Sequence, residues 1–141
     1  SIKSNNAFYL PMEDAKVSVV DVRNIAAVAV KALTGNGDNN KYNNKKYLIT
    51  GPEALSYHQI AELLSNATGK KISYVNISDE EARAGMKEMG MDDWLISTVS
   101  ELSNYFKKGY ASQVSSAVEE VTSKKPVSFS QFANDYAEVF R

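Results

Sequence analysis

The stretch Tyr47–Val75 constrains the fold most, because each boundary within it carries a distinct local signal. It opens with four β-branched, aromatic or aliphatic residues typical of a strand, which end at the turn pair that begins with Gly51. Ser56 and the glutamine three residues later have the spacing of a capping box, and apolar residues then recur at helical spacing as far as Gly69. Strand character returns from Ile72. The stretch therefore predicts a βαβ unit whose right-handed crossover places the two strands parallel in one sheet.

The rest of the chain predicts one further strand and a series of helices. Residues 1–14 are predicted to form an irregular approach that contains the apolar cluster Phe8–Met12, and Lys16–Val20 is predicted to be a buried strand. Five further helices are predicted, and each begins at a residue whose side chain can cap it: Asp21, Ser78, Asp92 or Asp93, Ser116 and Ser128. Three of these helices carry a predicted buried stripe: Ile25, Val28, Ala29, Ala32 and Leu33; Leu95, Val99, Leu102 and Phe106; Phe129, Phe132, Ala133, Tyr136 and Phe140. We predict a single α/β domain over residues 1–141, with short parallel strands and several helices.

Composition excludes several classes of function. With 141 residues, a net charge of −1 and 43% hydrophobic residues, the chain has the profile of an ordinary globular domain without general attraction to nucleic acid or anionic membrane. The absence of cysteine excludes thiolate metal ligands and fits a cytoplasmic location. The single histidine, His58, predicts a surface residue rather than a metal ligand, and no apolar run is long enough to span a bilayer. We predict no metal site, no nucleic-acid partner and no membrane partner.

No nucleotide-binding fingerprint is present. The glycines match neither a Rossmann phosphate turn nor a P-loop, so the sequence predicts no cofactor-binding residue in this chain. Tyr42 and Lys46 have the Tyr-x-x-x-Lys spacing that places both side chains on one helical turn. The residues between them are two asparagines and a lysine in a loop, which indicates a chance match.

Several short motifs, in order, carry a family likeness. They are Val19–Ala26, Tyr47–Ser56, Ile60-Ala61, Thr68–Lys70, Tyr74-Val75 and Ser78–Arg83. With them the chain resembles, over nearly its whole length, the C-terminal half of the NmrA-like proteins, which are atypical short-chain dehydrogenases/reductases that include NAD(P)H:quinone oxidoreductases. It departs from the family where Asn24 replaces a common aspartate, which puts any acidic role there in doubt, and where Ser123 replaces a common glycine in a turn.

The resemblance implies a substrate-binding portion of a Rossmann-type protein whose N-terminal, dinucleotide-binding half is absent from this chain. Substrate-binding candidates that the resemblance implies are Phe8, Tyr9, Met12, Met86 and Trp94, while catalytic residues stay unknown. We expect an NADP- or NAD-dependent oxidoreductase that acts on quinones or similar small apolar acceptors, with this chain inactive alone. The alternative is an NmrA-type regulator that senses NAD(P) and acts through a protein partner; a free-standing interaction module is the third reading. We also expect an apolar face, left uncovered where the missing half would pack, through which the isolated chain self-associates.

Overall fold

The computed structural model of the chain describes residues 2–35 and 41–141. This part of the chain contains eight helices and four short strands. The helices are α1 (Ile2–Asn5), α2 (Val22–Thr34), α3 (Tyr57–Thr68), α4 (Asp79–Glu88), α5 (Asp93–Lys107), α6 (Ala117–Thr122), α7 (Phe129–Asp135) and α8 (Ala137–Phe140). The strands are β1 (Ala7–Leu10), β2 (Lys16–Val17), β3 (Leu55–Ser56) and β4 (Ser73–Asn76). The predicted α/β class, with short parallel strands and several helices, is confirmed.

The strands form two pairs. β1 and β4 are parallel, and their register runs from Ala7 opposite Ser73 to Leu10 opposite Asn76. β2 and β3 are antiparallel. Two predictions are therefore corrected. The Phe8–Met12 cluster begins within a strand and not in an irregular approach, and the strand expected over Lys16–Val20 ends at Val17.

The first strand of the expected βαβ unit is not formed as predicted. Tyr47–Thr50 does not form a strand, and β4 takes β1 as its parallel neighbour instead. Among the described residues, no strand runs beside Tyr47–Thr50. Ser115 makes two hydrogen bonds to this segment: its hydroxyl donates to the carbonyl oxygen of Leu48, and its N–H donates to Thr50 Oγ1 at 3.0 Å. Because a strand is defined by its partner, strand propensity alone is not sufficient.

Most helix starts follow the predicted capping chemistry. Ser56 and Ser78 form complete capping boxes with Gln59 and Glu81, and Asp21, Asp92 and Ser128 each accept a backbone N–H of the first turn. The cap predicted at Ser116 is wrong: the Ser116 side chain accepts no backbone N–H of the first turn and donates instead to Glu120. Its φ of −86° and ψ of 1° are not the extended conformation that a capping residue adopts.

The core lies between α3, the two strand pairs and the C-terminal helices. Its main cluster consists of Val17, Leu55, Ile60, Leu64, Ile72 and Ala133. Here α3 packs against α7 and α8, so the C-terminus is docked as predicted, although the predicted single helix is interrupted at Tyr136. No helix in residues 2–35 and 41–141 has the length and apolar character needed to cross a membrane.

Three predicted apolar faces are wrong in part, and on the C-terminal helices the error is Tyr136, which is exposed. On α5 the buried residues are Ile96 and Ser103, each one position beyond the predicted Leu95 and Leu102, which are exposed. On α2 only Val28 of the predicted stripe is buried, where the helix packs on α6. The rest of that stripe is exposed because no described element packs against it.

Candidate functional site

A cavity of about 290 Å³ lies where the end of β1 meets α4 and α5. Its lining is mainly apolar, and the apolar residues come from all three elements and from the turns beside them. They are Tyr9, Leu10, Pro11, Met12, Ile77, Ala82, Met86, Met89 and Val99. Gly85 and four polar residues complete the lining, the polar ones being Asp79, Glu81, Ser100 and Ser103. An apolar hollow with a few polar groups is the usual form of a small-molecule site.

Three of the five predicted substrate-binding residues meet at this cavity. Tyr9, Met12 and Met86 all line it, although Met12 and Met86 are 74 positions apart in the chain. The structure does not bring Phe8 or Trp94 to the lining. Phe8 packs into the core with its ring 5.6 Å from that of Tyr74, and Trp94 is 75% exposed at the start of α5.

Other lining residues were not singled out from the sequence as site residues. Val99 belongs to a predicted buried stripe of a helix, and the residue type of Ser103 does not indicate a site residue. Its position was nevertheless informative, because Ser103 follows the buried Ile96 by seven residues and so lies on the same helical face.

Tyr74 fixes the segment that forms one wall of the cavity. Its hydroxyl accepts a hydrogen bond from the Met12 N–H at 3.2 Å and lies within donating distance of the Leu10 carbonyl (3.1 Å) and of Asn76 Oδ1 (2.9 Å). Burial raises the pKa of Tyr74, so the hydroxyl keeps its proton at neutral pH and can donate it. Asn76 Oδ1 also accepts the Glu13 N–H at 2.8 Å, so β4 holds both ends of this turn.

The opposite wall is the start of α4, which is tied to the end of α5. The Lys107 ammonium bonds to both carboxylate oxygens of Asp79, at 2.9 and 3.0 Å, and its side chain is mostly covered. The capping box directs Glu81 back to the Ser78 N–H at 2.8 Å. This hydrogen bond to the carboxylate lowers the pKa of Glu81, so the group is ionised throughout the neutral range.

The remaining candidates do not assemble a reactive centre. His58 is exposed and stacks edge-on against Tyr74, with 4.9 Å between ring centroids. Tyr42 lies in a turn, so the Tyr-x-x-x-Lys spacing does not place Tyr42 and Lys46 on a common helix. Within the described part of the chain, no three His, Cys, Asp or Glu side chains are grouped closely enough to hold a metal ion.

A second apolar hollow of about 140 Å³ lies between the start of α2 and α7. Beside it Arg23 bridges Asp21 at 2.8 Å and Asp135 at 2.7 Å. The hydrogen bonds from Arg23 lower the pKa of both carboxyl groups. This ion network joins α2 to the C-terminal helices, which is a structural role.

Comparison with known proteins gives a consistent picture. A model of the NmrA-like family matches residues 3–134. Over 140 residues the chain is 39% identical to an NAD(P)H azoreductase of Xenophilus azovorans and 28% identical to an agroclavine dehydrogenase of Claviceps fusiformis. These alignments cover 99% of this chain but 48% and 47% of those proteins, so the chain spans about half the length of the curated relatives it matches.

Two solved structures share the fold. An NADPH-dependent quinone oxidoreductase from Escherichia coli superposes with a TM-score of 0.81 at 20% identity, over 99% of this chain and 48% of that one. A triphenylmethane reductase of Citrobacter sp. gives a TM-score of 0.79 at 20% identity, over 96% of this chain and 45% of that one. At this level of identity the likeness establishes the fold alone.

Proposed function

The chain belongs to the NmrA-like family, and from that membership we propose that it forms the acceptor-binding part of an NAD(P)H-dependent oxidoreductase. The observation that carries the proposal is the cavity between β1, α4 and α5, whose apolar lining suits a small, flat organic acceptor. The names of the relatives reported above are those of reductases, an oxidoreductase and a dehydrogenase, and they lend no support to the regulator alternative.

The nucleotide does not fit the residues present. The sequence has no glycine-rich turn that could bring backbone N–H groups to a pyrophosphate, and the cavity is lined by two carboxylates, which would repel phosphate. We therefore propose that NADP or NAD is bound by a part of the protein corresponding to the half of the relatives that this chain does not span. The residues described here would bind and orient the acceptor and exclude water from it.

Tyr9, Met12 and Met86 are the proposed acceptor contacts. Methionine side chains are flexible and polarisable, so they adapt to flat conjugated rings, and the tyrosine ring offers a stacking surface. A quinone is one acceptor of suitable size and shape. Phe8 and Trp94 have no proposed contact, because neither lines the cavity.

A cavity-filling substitution tests this assignment. Gly85 lines the cavity from within α4, and a Cβ added there would meet no atom within 4 Å. In the full-length gene product, Gly85→Leu should raise the KM for a quinone at least about tenfold, the effect of overfilling a packed site, while leaving the affinity for NADPH unchanged. Gly85→Ala is the matched control, because it makes the same backbone change without filling the space.

The measurement is the oxidation of NADPH at 340 nm by the full-length gene product, with a quinone and with an azo compound as acceptors. Turnover with either acceptor supports the proposal. Tight binding of NADP with no turnover on any acceptor would favour the regulator. Turnover that Gly85→Leu leaves unchanged would show that the acceptor binds elsewhere.

A further inference from the structure

The polar groups of the cavity between β1, α4 and α5 can accept hydrogen bonds but have few hydrogens to donate. The Ser100 hydroxyl donates to the carbonyl oxygen of Ile96 at 2.8 Å, and the Ser103 hydroxyl donates to that of Val99 at 3.0 Å. Both serine oxygens are therefore left with lone pairs only. The other polar lining groups are two carboxylates and the phenol of Tyr9, which is the one remaining hydroxyl among the described lining residues.

The charge around this cavity is negative. Asp79 and Glu81 line it, and the described lining contains no cationic side chain. Lys107 lies outside the lining and is shared by Asp79 at 2.9 Å and Glu13 at 3.9 Å. Asp79 and Glu13 thus share one ammonium, and Glu81 adds a further negative charge to the lining. The partial positive charge of the α4 N-terminus, about half an elementary charge, does not reverse this balance.

The apolar part of the lining also favours a positively charged ligand. The half-exposed ring of Tyr9 presents a π face, and Met12, Met86 and Met89 contribute polarisable sulfur atoms. An aromatic face attracts a cation, and its attraction is strongest where water is excluded. A delocalised cation is also weakly hydrated, so it enters an apolar cavity at lower cost than a localised charge.

We propose that this cavity selects flat conjugated ligands that carry a delocalised positive charge and rejects anionic ligands of the same shape. The inference rests on the proposed function, because the ligand is taken to be the acceptor of the oxidoreductase. The class comprises aromatic cations in which the positive charge is spread over a carbon and nitrogen framework.

Two triarylmethane dyes test the proposal, one cationic and one of the same skeleton made anionic by sulfonation. Each dye is titrated into the full-length gene product, and its binding is followed by its visible absorbance. We expect the cationic dye to bind at least about tenfold more tightly, as two screened charge contacts of about threefold each would produce. The preference should shrink as salt is raised from 0.02 to 0.5 M. Equal affinity, or tighter binding of the anion, would overturn the inference.

A variant separates the role of charge from that of structure. Glu81→Gln removes a carboxylate from the lining, while glutamine can still complete the capping box, as Gln59 does in this same chain. The preference for the cation should fall about two- to fivefold. Glu88→Gln is the matched control, because Glu88 lies on the same helix but does not line the cavity, and it should leave the preference unchanged.

Failure of the inference and failure of the proposed function are distinguishable. Oxidation of NADPH with a neutral quinone, together with equal binding of the two dyes, would remove the charge selectivity and keep the oxidoreductase. Selective binding of the cationic dye, with no NADPH consumed in the presence of any acceptor, would remove the oxidoreductase and leave a cation-binding cavity. An unchanged dye preference in Glu81→Gln would show that this carboxylate does not set the selectivity.

Discussion

Gly51 is the position at which a single methyl group should do most damage. A Cβ built on Gly51 would lie 2.0 Å from the carbonyl oxygen of Val19 and 3.2 Å from its carbonyl carbon. Ordinary C···O contacts lie at about 3.3–3.6 Å, so the methyl group is more than 1 Å too close. The obstructing atom belongs to the backbone, so no side-chain rotation relieves the clash, and the two chain segments must separate. We expect Gly51→Ala to lower the free energy of unfolding by about 1–3 kcal/mol or more.

The same chemical change at Gly85 should have the opposite sign. Gly85 lies inside α4 and its added Cβ would meet nothing within 4 Å. Alanine is favoured over glycine in a helix interior by about 0.5–1 kcal/mol, so Gly85→Ala should stabilise the protein. The helical signal of far-UV circular dichroism, followed through a urea titration, compares both variants with the parent. A Gly51→Ala protein that unfolds at the parent's urea midpoint would refute the close approach of Gly51 and Val19.

Three further predictions concern the cavity wall, the exposed face of α2 and the response to acid. Tyr74→Phe removes the acceptor of the Met12 N–H, and we expect it to cost about 1–3 kcal/mol in urea unfolding. An unchanged midpoint would show that water replaces the hydroxyl there. Residues 1–141 alone should self-associate in light scattering through α2, and Ile25→Lys combined with Leu33→Lys should restore a monomer, whereas a monomeric parent chain that binds no hydrophobic dye would contradict this. Because the pKa of Asp21 is lowered in the folded state, its ionised form contributes stability above the unfolded value of about 4, and this contribution is lost as pH falls through the folded pKa. Asp21→Asn should flatten the fall in stability below about pH 4, and an identical acid profile would count against the ion network.

The helix starts could be predicted because capping is a local interaction. Ser56 and Ser78 each need a partner only three residues away, so the sequence contains both halves of the contact. Ser116 has the same spacing to Glu119 and still fails, since its backbone does not adopt the extended conformation. A capping motif therefore predicts the hydrogen bonds only when the preceding chain arrives in the required direction.

The strand pairing could not be predicted in the same way, because the partners are far apart in the chain. β1 and β4 are separated by more than 60 residues, and nothing local in Ala7–Leu10 indicates which strand it will meet. A short amphipathic strand of four residues is also difficult to distinguish from an apolar loop. Tyr47–Thr50 shows the converse error, since strong strand propensity without a described partner leaves a segment with no regular secondary structure.

The candidate site was predictable in part, for a reason that concerns residue type. Tyr9, Met12 and Met86 were chosen through a family likeness, and their flexible or flat side chains are also those that line an adaptable cavity. Trp94 was chosen on the same grounds and lies exposed. Its residue type could not separate a cavity wall from a surface position, because a helix start can point a side chain in either direction. The position of the turn after β1 could not be predicted from the sequence, because it depends on hydrogen bonds with Tyr74, which is far away in the chain.

The exposed stripe of α2 shows that apolar periodicity along a helix does not by itself predict burial. Ile25, Ala29 and Leu33 recur at helical spacing, yet Leu33 is 87% exposed, and Val28 is the one member of the predicted stripe that is buried, together with Asn24. An α-helix has room for two such faces, one against α6 and one along this stripe. Periodicity predicts that an apolar face will meet another surface, but it does not indicate whether that surface belongs to the same stretch of chain. The relatives are about twice as long as the chain, so we expect the half that they have in addition to supply the cover.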